Sequence, residues 1–213
     1  MSGEMSDLGK PDTTRTFPTR CGILCNPLED GITHLNVYTK GATELGTKLT
    51  NPANIPVNVY RFGYFPCMEA LWYWLTMGCK HDDLKNAPGL KAKSIAREKK
   101  YEPTYIPGFE DIIKYITTAK ILHNAELRKD FFESTLPFLH YYVYGNPNNP
   151  AIRPANGSLW TVQHLELIRS LGDEGAVKWL KDHKKEFRKS VDRICGMIAS
   201  AAPGTNAIYT EPA

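Results

Sequence analysis

One carboxylate, Glu69, stands near the start of an aromatic stretch, and it is the residue in this sequence best placed for acid–base chemistry. The stretch reads YFPCMEALWYWLTMG from Tyr64 to Gly78. Burial raises the pKa of a carboxyl group, whereas the positive end of a helix dipole and nearby cations lower it. Two interpretations of Glu69 therefore stay open: a catalytic carboxylate, or a structural one satisfied by capping or by an ion pair.

The same stretch predicts the helix that must position this carboxylate. Pro66 suits the first helical turn, where its missing N–H would have no partner, and Gly78 suits the end of the helix. The remaining residues, including Trp72, leave almost no polar face. We therefore expect a short helix that is buried nearly all round.

A basic segment after this helix offers cations. GLKAKSIAREKK, from Gly89 to Lys100, predicts a compact helix that carries Lys93 and Arg97 among its charges. Such a face is ordinarily solvated, but a cationic helix beside a cleft also binds phosphate groups. Both interpretations remain open.

A single lysine interrupts an otherwise apolar stripe farther along the chain. The segment from Phe109 to Glu133 has helical periodicity, and Lys120 falls within its apolar stripe. A lysine there either extends its ammonium group to water or is held by a partner, since an uncompensated buried charge is unfavourable. His123 lies one turn on, and either shares that site or packs as a neutral ring.

Composition limits the class of protein. The chain has 213 residues, 42% of them hydrophobic, and a formal charge of +3, which indicates one globular domain and gives no bulk electrostatic case for nucleic-acid binding. It begins without an apolar signal core, and no run approaches the roughly 18 apolar residues of a membrane span, so we expect a cytoplasmic protein without membrane contact. Five cysteines include Cys21 and Cys25 at a metal-compatible spacing, but no second pair follows, and we expect no metal and no cofactor.

The remaining segments predict an α+β protein, a predominantly helical single domain with a small β-sheet. Strands are expected at 32–38 and 57–62, with an exposed connection between them that presents Asn51. The run 136–145 is a strand or a buried aromatic segment. The following NPNNPAIRPANGS, rich in asparagine and proline, predicts a loop without regular structure. Helices are expected at 159–171 and 175–201, and residues 1–20 and 202–213 should be irregular.

The order of these features resembles the NADAR family, which is named for its link to the metabolism of NAD and ADP-ribose, across about residues 35–160. The matching segments are NVYT with Tyr38, the Thr50-Asn51-Pro52 turn, Phe65-Pro66-x-x-Glu69 at the start of the aromatic helix, the alanine-containing helix 92–97, and the Lys120 helix within 117–128. The resemblance divides the chain into an N-terminal extension at 1–33, a NADAR-like domain at 34–172, and a C-terminal helix and tail at 173–213 that pack on that domain.

The resemblance implies an N-glycosidase-like hydrolase that cleaves the C1′–N bond of a ribosyl-phosphate or ADP-ribosyl compound. Glu69 would stabilise the oxocarbenium-like transition state, with Lys120 beside it to orient the carboxylate or hold a phosphate. The implied substrate-binding residues are Asn51, Tyr38, Trp72, Lys93, Arg97 and His123. Partners would be a small nucleotide or an ADP-ribosylated base, with nucleic acid only as a modified substrate; the oligomeric state stays open.

The sequence also departs from the family pattern. Ala70 stands where the family usually has histidine after the glutamate, Pro52 replaces a phenylalanine, and the late Asp-x-x-Trp-Gly motif has no clear match. These departures favour an alternative, a non-catalytic protein that binds or sequesters a nucleotide or ADP-ribose. A third alternative is an interaction protein whose aromatic helix is only core, which would be preferred if no cavity borders Glu69.

Overall fold

Helices predominate among the described residues of the computed structural model, and the strands form small sheets of two strands each. The structure describes residues 17–18, 24–104, 106–146, 149–155 and 159–200. Its helices are α1 (Glu44–Leu49), α2 (Met68–Thr76), α3 (Lys91–Glu98), α4 (Phe109–His123), α5 (Ala125–Glu133), α6 (Leu159–Ser170) and α7 (Gly172–Ser200). The predicted class, a predominantly helical α+β domain, is confirmed.

The strands pair as four separate ribbons rather than as one sheet. They are β1 (Phe17–Pro18), β2 (Leu24–Cys25), β3 (Leu35–Asn36), β4 (Val57–Val59), β5 (Gly63–Phe65), β6 (Phe138–Leu139), β7 (Tyr141–Asn146) and β8 (Asn149–Pro154). Three pairs are antiparallel, β1 with β2, β4 with β5 and β7 with β8, while β3 runs parallel to β6. The parallel pair joins the segment before α1 to the segment after α5.

The aromatic helix α2 is shorter than predicted at its N-terminal end. Its first residue is Met68, with Cys67 at the N-cap, so Pro66 precedes the helix instead of occupying its first turn. Phe65 and Tyr64 belong to β5, which pairs with β4 and fixes the chain before the helix can begin. The C-terminal prediction is confirmed, since α2 ends at Thr76 and Gly78 adopts a left-handed φ of 73°.

The predicted helix over 109–133 is two helices. Asn124 separates α4 from α5 with an extended backbone conformation, and its side-chain Oδ1 accepts a 2.9 Å hydrogen bond from the Leu127 amide. That hydrogen bond is an N-cap, which satisfies an amide that the first turn of α5 would otherwise leave unpaired. The chain therefore changes direction one residue after His123.

The prediction that the asparagine- and proline-rich segment has no regular structure is wrong. Residues 149–154 form β8, which pairs with β7 in register from Tyr141–Pro154 to Asn146–Asn149. Within the described residues β8 pairs with β7 alone, so it is an edge strand, and an edge strand tolerates proline because its outer N–H groups need no partner. The earlier strand predictions were too long, since β3 and β4 cover only two and three residues.

Two clusters of buried side chains form the core. The first joins α2, α4 and α7 through residues such as Leu71, Ile112 and Val191. The second surrounds α5 and α6 and includes Phe131 and Leu165. Three of the predicted features lie outside the described residues: the arm at 1–20 except for residues 17–18, the tail at 202–213, and Cys21. The metal-compatible spacing of Cys21 and Cys25 is therefore not tested.

Candidate functional site

A cavity of about 700 Å³ opens beside Glu69, where the two core clusters meet. Trp72 of α2 packs on the first cluster, while Leu49 and Leu165 belong to the second, and all three line the cavity. The volume lies within the range typical of small-molecule sites, about 300–1,000 Å³. The lining includes Tyr38, Lys40, Thr50, Asn51, Glu69, Trp72, Tyr73, Lys93, Arg97, His140, Tyr142, Tyr144 and Arg153.

Glu69 reaches the cavity from the first turn of α2. Its backbone amide donates a 2.9 Å hydrogen bond to the carbonyl oxygen of Asn51, which fixes the start of the helix against the turn that follows α1. Burial raises the pKa of the Glu69 carboxyl group to about 7, although the charge of Lys93 opposes the shift. The carboxyl group is therefore present in both protonation states near neutral pH, as a general acid or base requires.

One face of α2 lines the cavity while the rest of the helix is core. Glu69, Trp72 and Tyr73 are partly exposed and share a face by the i, i+3, i+4 spacing, and Ala70 and Leu71 are fully buried. The expectation that this helix is buried nearly all round thus holds except on the face that carries Glu69. That face is open to a ligand.

Four basic side chains line the same cavity as Glu69. Lys93 and Arg97, one turn apart on α3, line it together with Lys40 and Arg153. Within the described residues none of these four side chains forms an ion pair within 4.0 Å. Glu69 is the one carboxylate among the described lining residues, so the cavity carries a positive balance that suits an anionic ligand.

Three tyrosine rings form an aromatic wall. Tyr38 and Tyr142 meet edge to face with 5.5 Å between ring centroids, and Tyr144 lies 6.3 Å from Tyr142. The guanidinium carbon of Arg153 lies 5.5 Å from the centroid of the Tyr144 ring. Burial raises the pKa of the Tyr142 hydroxyl, and the charge of Glu69 adds to the shift, so this hydroxyl stays protonated at neutral pH.

Lys120 and His123 line a different cavity, of about 440 Å³. The Lys120 side chain is only 4% exposed, and its Nζ donates a 2.9 Å hydrogen bond to the carbonyl oxygen of Thr50, a residue that lines the Glu69 cavity. Burial lowers the pKa of Lys120 to about 7. Lys120 is thus held between the two cavities by its hydrogen bond to a backbone carbonyl. The His123 side chain is exposed and lines only the cavity of about 440 Å³.

The structure therefore brings together six of the eight residues proposed from the sequence. Those six are Glu69, Asn51, Tyr38, Trp72, Lys93 and Arg97, and their roles in binding or catalysis stay predictions. Lys120 and His123 do not line the Glu69 cavity; both line the cavity of about 440 Å³. The interaction-protein alternative was tied to the absence of a cavity beside Glu69, and that condition is not met.

Sequence reasoning missed the contribution of the β7–β8 hairpin. His140, Tyr142 and Tyr144 line the cavity from β7 and the residue before it, and Arg153 lines it from β8, where it pairs with Tyr142. The signal was present, because these three β7-side residues alternate as neighbours on one face of a strand do. It was hidden by the prolines, which predicted a loop in place of the partner strand.

The described residues contain no group of three or more His, Cys, Asp or Glu side chains placed to hold a metal ion. Among the helices that the structure describes, none has the length and apolar character needed to cross a membrane. Comparisons with protein-family models, with curated proteins and with solved structures found no match. The resemblance to the NADAR family therefore stays a prediction.

Proposed function

We propose that the protein is an N-glycosidase that hydrolyses the C1′–N bond of a ribosyl-phosphate or ADP-ribosyl compound, with Glu69 as its catalytic carboxylate. One observation carries the proposal: a single, partly buried carboxyl group with a pKa of about 7 shares a cavity with four cations that have no ion-pair partner among the described residues. The proposed substrates are small nucleotides or an ADP-ribosylated base, and nucleic acid enters only when it carries that modification. We place the activity in the cytoplasm.

The charge pattern supports a phosphate-bearing substrate. Arg97 and Lys93 project from one face of α3, and Arg side chains form paired hydrogen bonds with phosphate oxygens that Lys complements as a point charge. Lys93 is also close enough to Glu69 to lower its pKa. A phosphate bound at Lys93 and Arg97 would hold the substrate in the cavity that Glu69 also lines.

The position of Glu69 supports chemistry at C1′. As the C1′–N bond breaks, positive charge develops on the ribose, and an ionised carboxylate beside it lowers the energy of that transition state. The same carboxylate accepts a proton from the water molecule that attacks C1′, and the C1′–N bond breaks with its electrons leaving on the base. The proton on Glu69 then passes to the base or to solvent, which restores the carboxylate. A carboxyl group whose pKa lies near the working pH is suited to this proton transfer.

The aromatic wall supports recognition of a base or of the adenine of ADP-ribose. Tyr38, Tyr142 and Tyr144 present ring surfaces and hydroxyl groups to the same cavity. Stacking of a base on an aromatic side chain contributes about 1–3 kcal/mol in single-stranded nucleic-acid complexes.

The direct test is base release by the purified protein. ADP-ribosylated guanosine, ADP-ribosyl DNA and a ribosylamino-pyrimidine phosphate would each be incubated with wild type, and free base measured by chromatography. We expect release from at least one substrate and a loss of at least a hundredfold in Glu69→Gln. Glu98→Gln, an exposed glutamate on α3, is the matched control and should retain full activity. Absence of release from all three, or equal release by Glu69→Gln, contradicts the proposal.

A second candidate function is a non-catalytic protein that binds or sequesters a nucleotide or ADP-ribose. Hydrolysis of a glycosidic bond ordinarily uses two carboxyl groups, and Glu69 is the one acidic residue among the described residues of the lining. This alternative predicts tight binding without turnover. Calorimetry with ADP-ribose, followed by analysis of the ligand after incubation, distinguishes the two functions, because binding of an intact ligand with no released base favours sequestration.

A further inference from the structure

The second cavity, on the other side of Lys120, has the composition of a ligand site in its own right. It lies between β4, α4 and α7 and encloses about 440 Å³, inside the range of small-molecule pockets, which is about 300–1,000 Å³. None of its described lining residues is an aspartate or a glutamate. Its charged residues are all basic.

The two exposed cations of this cavity have no acidic partner among the described residues. Lys184 and Arg188 lie one turn apart on α7, are exposed, and form no ion pair with any described residue. The guanidinium carbon of Arg188 lies 5.0 Å from the centroid of the Tyr60 ring, which holds it at the rim of the cavity. Lys120 forms part of the same lining from within the core. An anion entering the cavity would therefore meet the positive charges of Lys184 and Arg188.

The body of the cavity is apolar and aromatic. Tyr115 and Phe187 stack with 4.0 Å between ring centroids and an interplanar angle of 6°, and Phe187 is buried in the core. Aliphatic side chains such as Ile116 and Leu180 complete the walls. A site with apolar walls and a few convergent polar groups is typical of binding pockets for small organic molecules.

We propose that this cavity is a second binding site, separate from the Glu69 cavity, for an amphipathic organic anion with a planar apolar body, of which aromatic carboxylates are the simplest class. The planar body packs against the walls near Tyr115, and the carboxylate pairs with Lys184 and Arg188. This site requires neither Glu69 nor the cations of α3. Its existence therefore does not depend on the proposed glycosidase activity.

The test uses the full-length protein and 2-naphthoate as the probe, with the neutral 2-naphthamide as the matched ligand, both followed by calorimetry. We expect naphthoate to bind, the amide to bind at least tenfold more weakly, and Lys184→Ala/Arg188→Ala to weaken naphthoate at least tenfold. Lys181→Ala/Lys185→Ala removes the same charge from exposed positions of α7 outside the cavity, and should leave binding unchanged.

A third double variant, Lys93→Ala/Arg97→Ala, identifies the cavity that holds the probe. It should retain naphthoate binding, because neither residue lines the second cavity. The proposal is overturned if naphthoate gives no binding heat at its solubility limit, if the amide binds equally well, or if the two α7 double variants behave alike. It is also overturned if Lys93→Ala/Arg97→Ala abolishes binding while Lys184→Ala/Arg188→Ala does not, since the probe would then occupy the Glu69 cavity.

Discussion

The amide nitrogen of Glu69 lies 2.9 Å from the carbonyl oxygen of Asn51 and donates a hydrogen bond to it. An amide in the first turn of a helix has no partner within the helix, so this bond satisfies a group that would otherwise require water or a cap. It also fixes the spacing between the candidate catalytic carboxylate and the turn that presents the Asn51 side chain. The geometry of the Glu69 cavity therefore depends on a backbone contact between two segments that are separate in sequence.

Replacement of Glu69 by glutamine should stabilise the protein at alkaline pH. The folded-state pKa of about 7 lies above the ordinary value of 4.5, so the stabilisation from protonated Glu69 is complete below pH 4.5 and is lost as the pH rises through 7. The shift corresponds to about 3 kcal/mol at most in the free energy of unfolding. Urea denaturation should find Glu69→Gln more stable than wild type at pH 8 and nearly equal at pH 4.5.

Glu98→Gln serves as the control for that measurement, because Glu98 is exposed on α3 and forms no ion pair with any residue that the structure describes. Its effect on the free energy of unfolding should stay within about 0.5 kcal/mol at both pH values. A Glu69→Gln variant less stable than wild type at pH 8 would mean that the carboxylate is a structural one held by a favourable partner. That result would favour the structural interpretation of Glu69 over the catalytic one.

Removal of Arg97 should weaken binding of a phosphate-bearing ligand. Arg97 lines the Glu69 cavity, whereas Lys91, on the same helix, is exposed outside it. We expect Arg97→Ala to lower the affinity for ADP-ribose about tenfold, equivalent to about 1.4 kcal/mol, and to make the affinity less dependent on salt. Calorimetry at two salt concentrations gives both quantities. Lys91→Ala removes one positive charge from the same helix but outside the cavity. An equal effect of the two variants would show that only the overall charge of the protein matters.

The helical periodicity of the sequence predicted much of what positions this site. The positions of α2, α3, α6 and α7 follow from apolar spacing and from glycine at helix ends, because those signals act within a few residues. The same signals could not place the break at Asn124. The apolar stripe runs through both helices, and the deciding hydrogen bond is a single side-chain contact to Leu127.

The arrangement of the site was less predictable than its elements. Periodicity identified Lys120 as a cation within an apolar stripe but not the direction of its ammonium group, which is set by the Thr50 carbonyl, seventy positions earlier in the chain. In the same way, the proline-rich segment had the local composition of a loop. Its antiparallel pairing with β7, which composition alone does not reveal, places Arg153 opposite Tyr142.

Loss of the Asn124 side chain should destabilise the junction between α4 and α5. Its Oδ1 accepts the hydrogen bond from the Leu127 amide, and removal of such a cap costs about 0.5–2 kcal/mol. Asn124→Ala should therefore lower the free energy of unfolding by about 1 kcal/mol in urea denaturation. Asn124→Ser keeps a capping oxygen and should recover most of the loss. Equal destabilisation by alanine and serine would show that the amide acts through other contacts.

Replacement of Lys120 by methionine tests whether the buried amine lowers the free energy of unfolding. The folded-state pKa of about 7 lies below the ordinary value of 10.5, so the contribution of the neutral amine is complete above pH 10.5 and is lost as the pH falls through 7. Lys120→Met does not titrate, and its stability relative to wild type should rise by about 3 kcal/mol from pH 9.5 to pH 6. Loss of the hydrogen bond to Thr50 lowers the stability of the variant equally at both pH values.

Guanidinium denaturation at pH 6 and pH 9.5 measures this change, with Lys181→Met as an exposed control whose effect should differ little between the two pH values. The informative quantity is the change, between the two pH values, in the stability of the variant relative to wild type. The lost hydrogen bond and any change in packing contribute equally at both pH values and therefore cancel. A pH-independent effect of Lys120→Met would show that the Lys120 ammonium group keeps its ordinary pKa. Water or a counter-charge would then have to reach it from one of the two cavities that it separates.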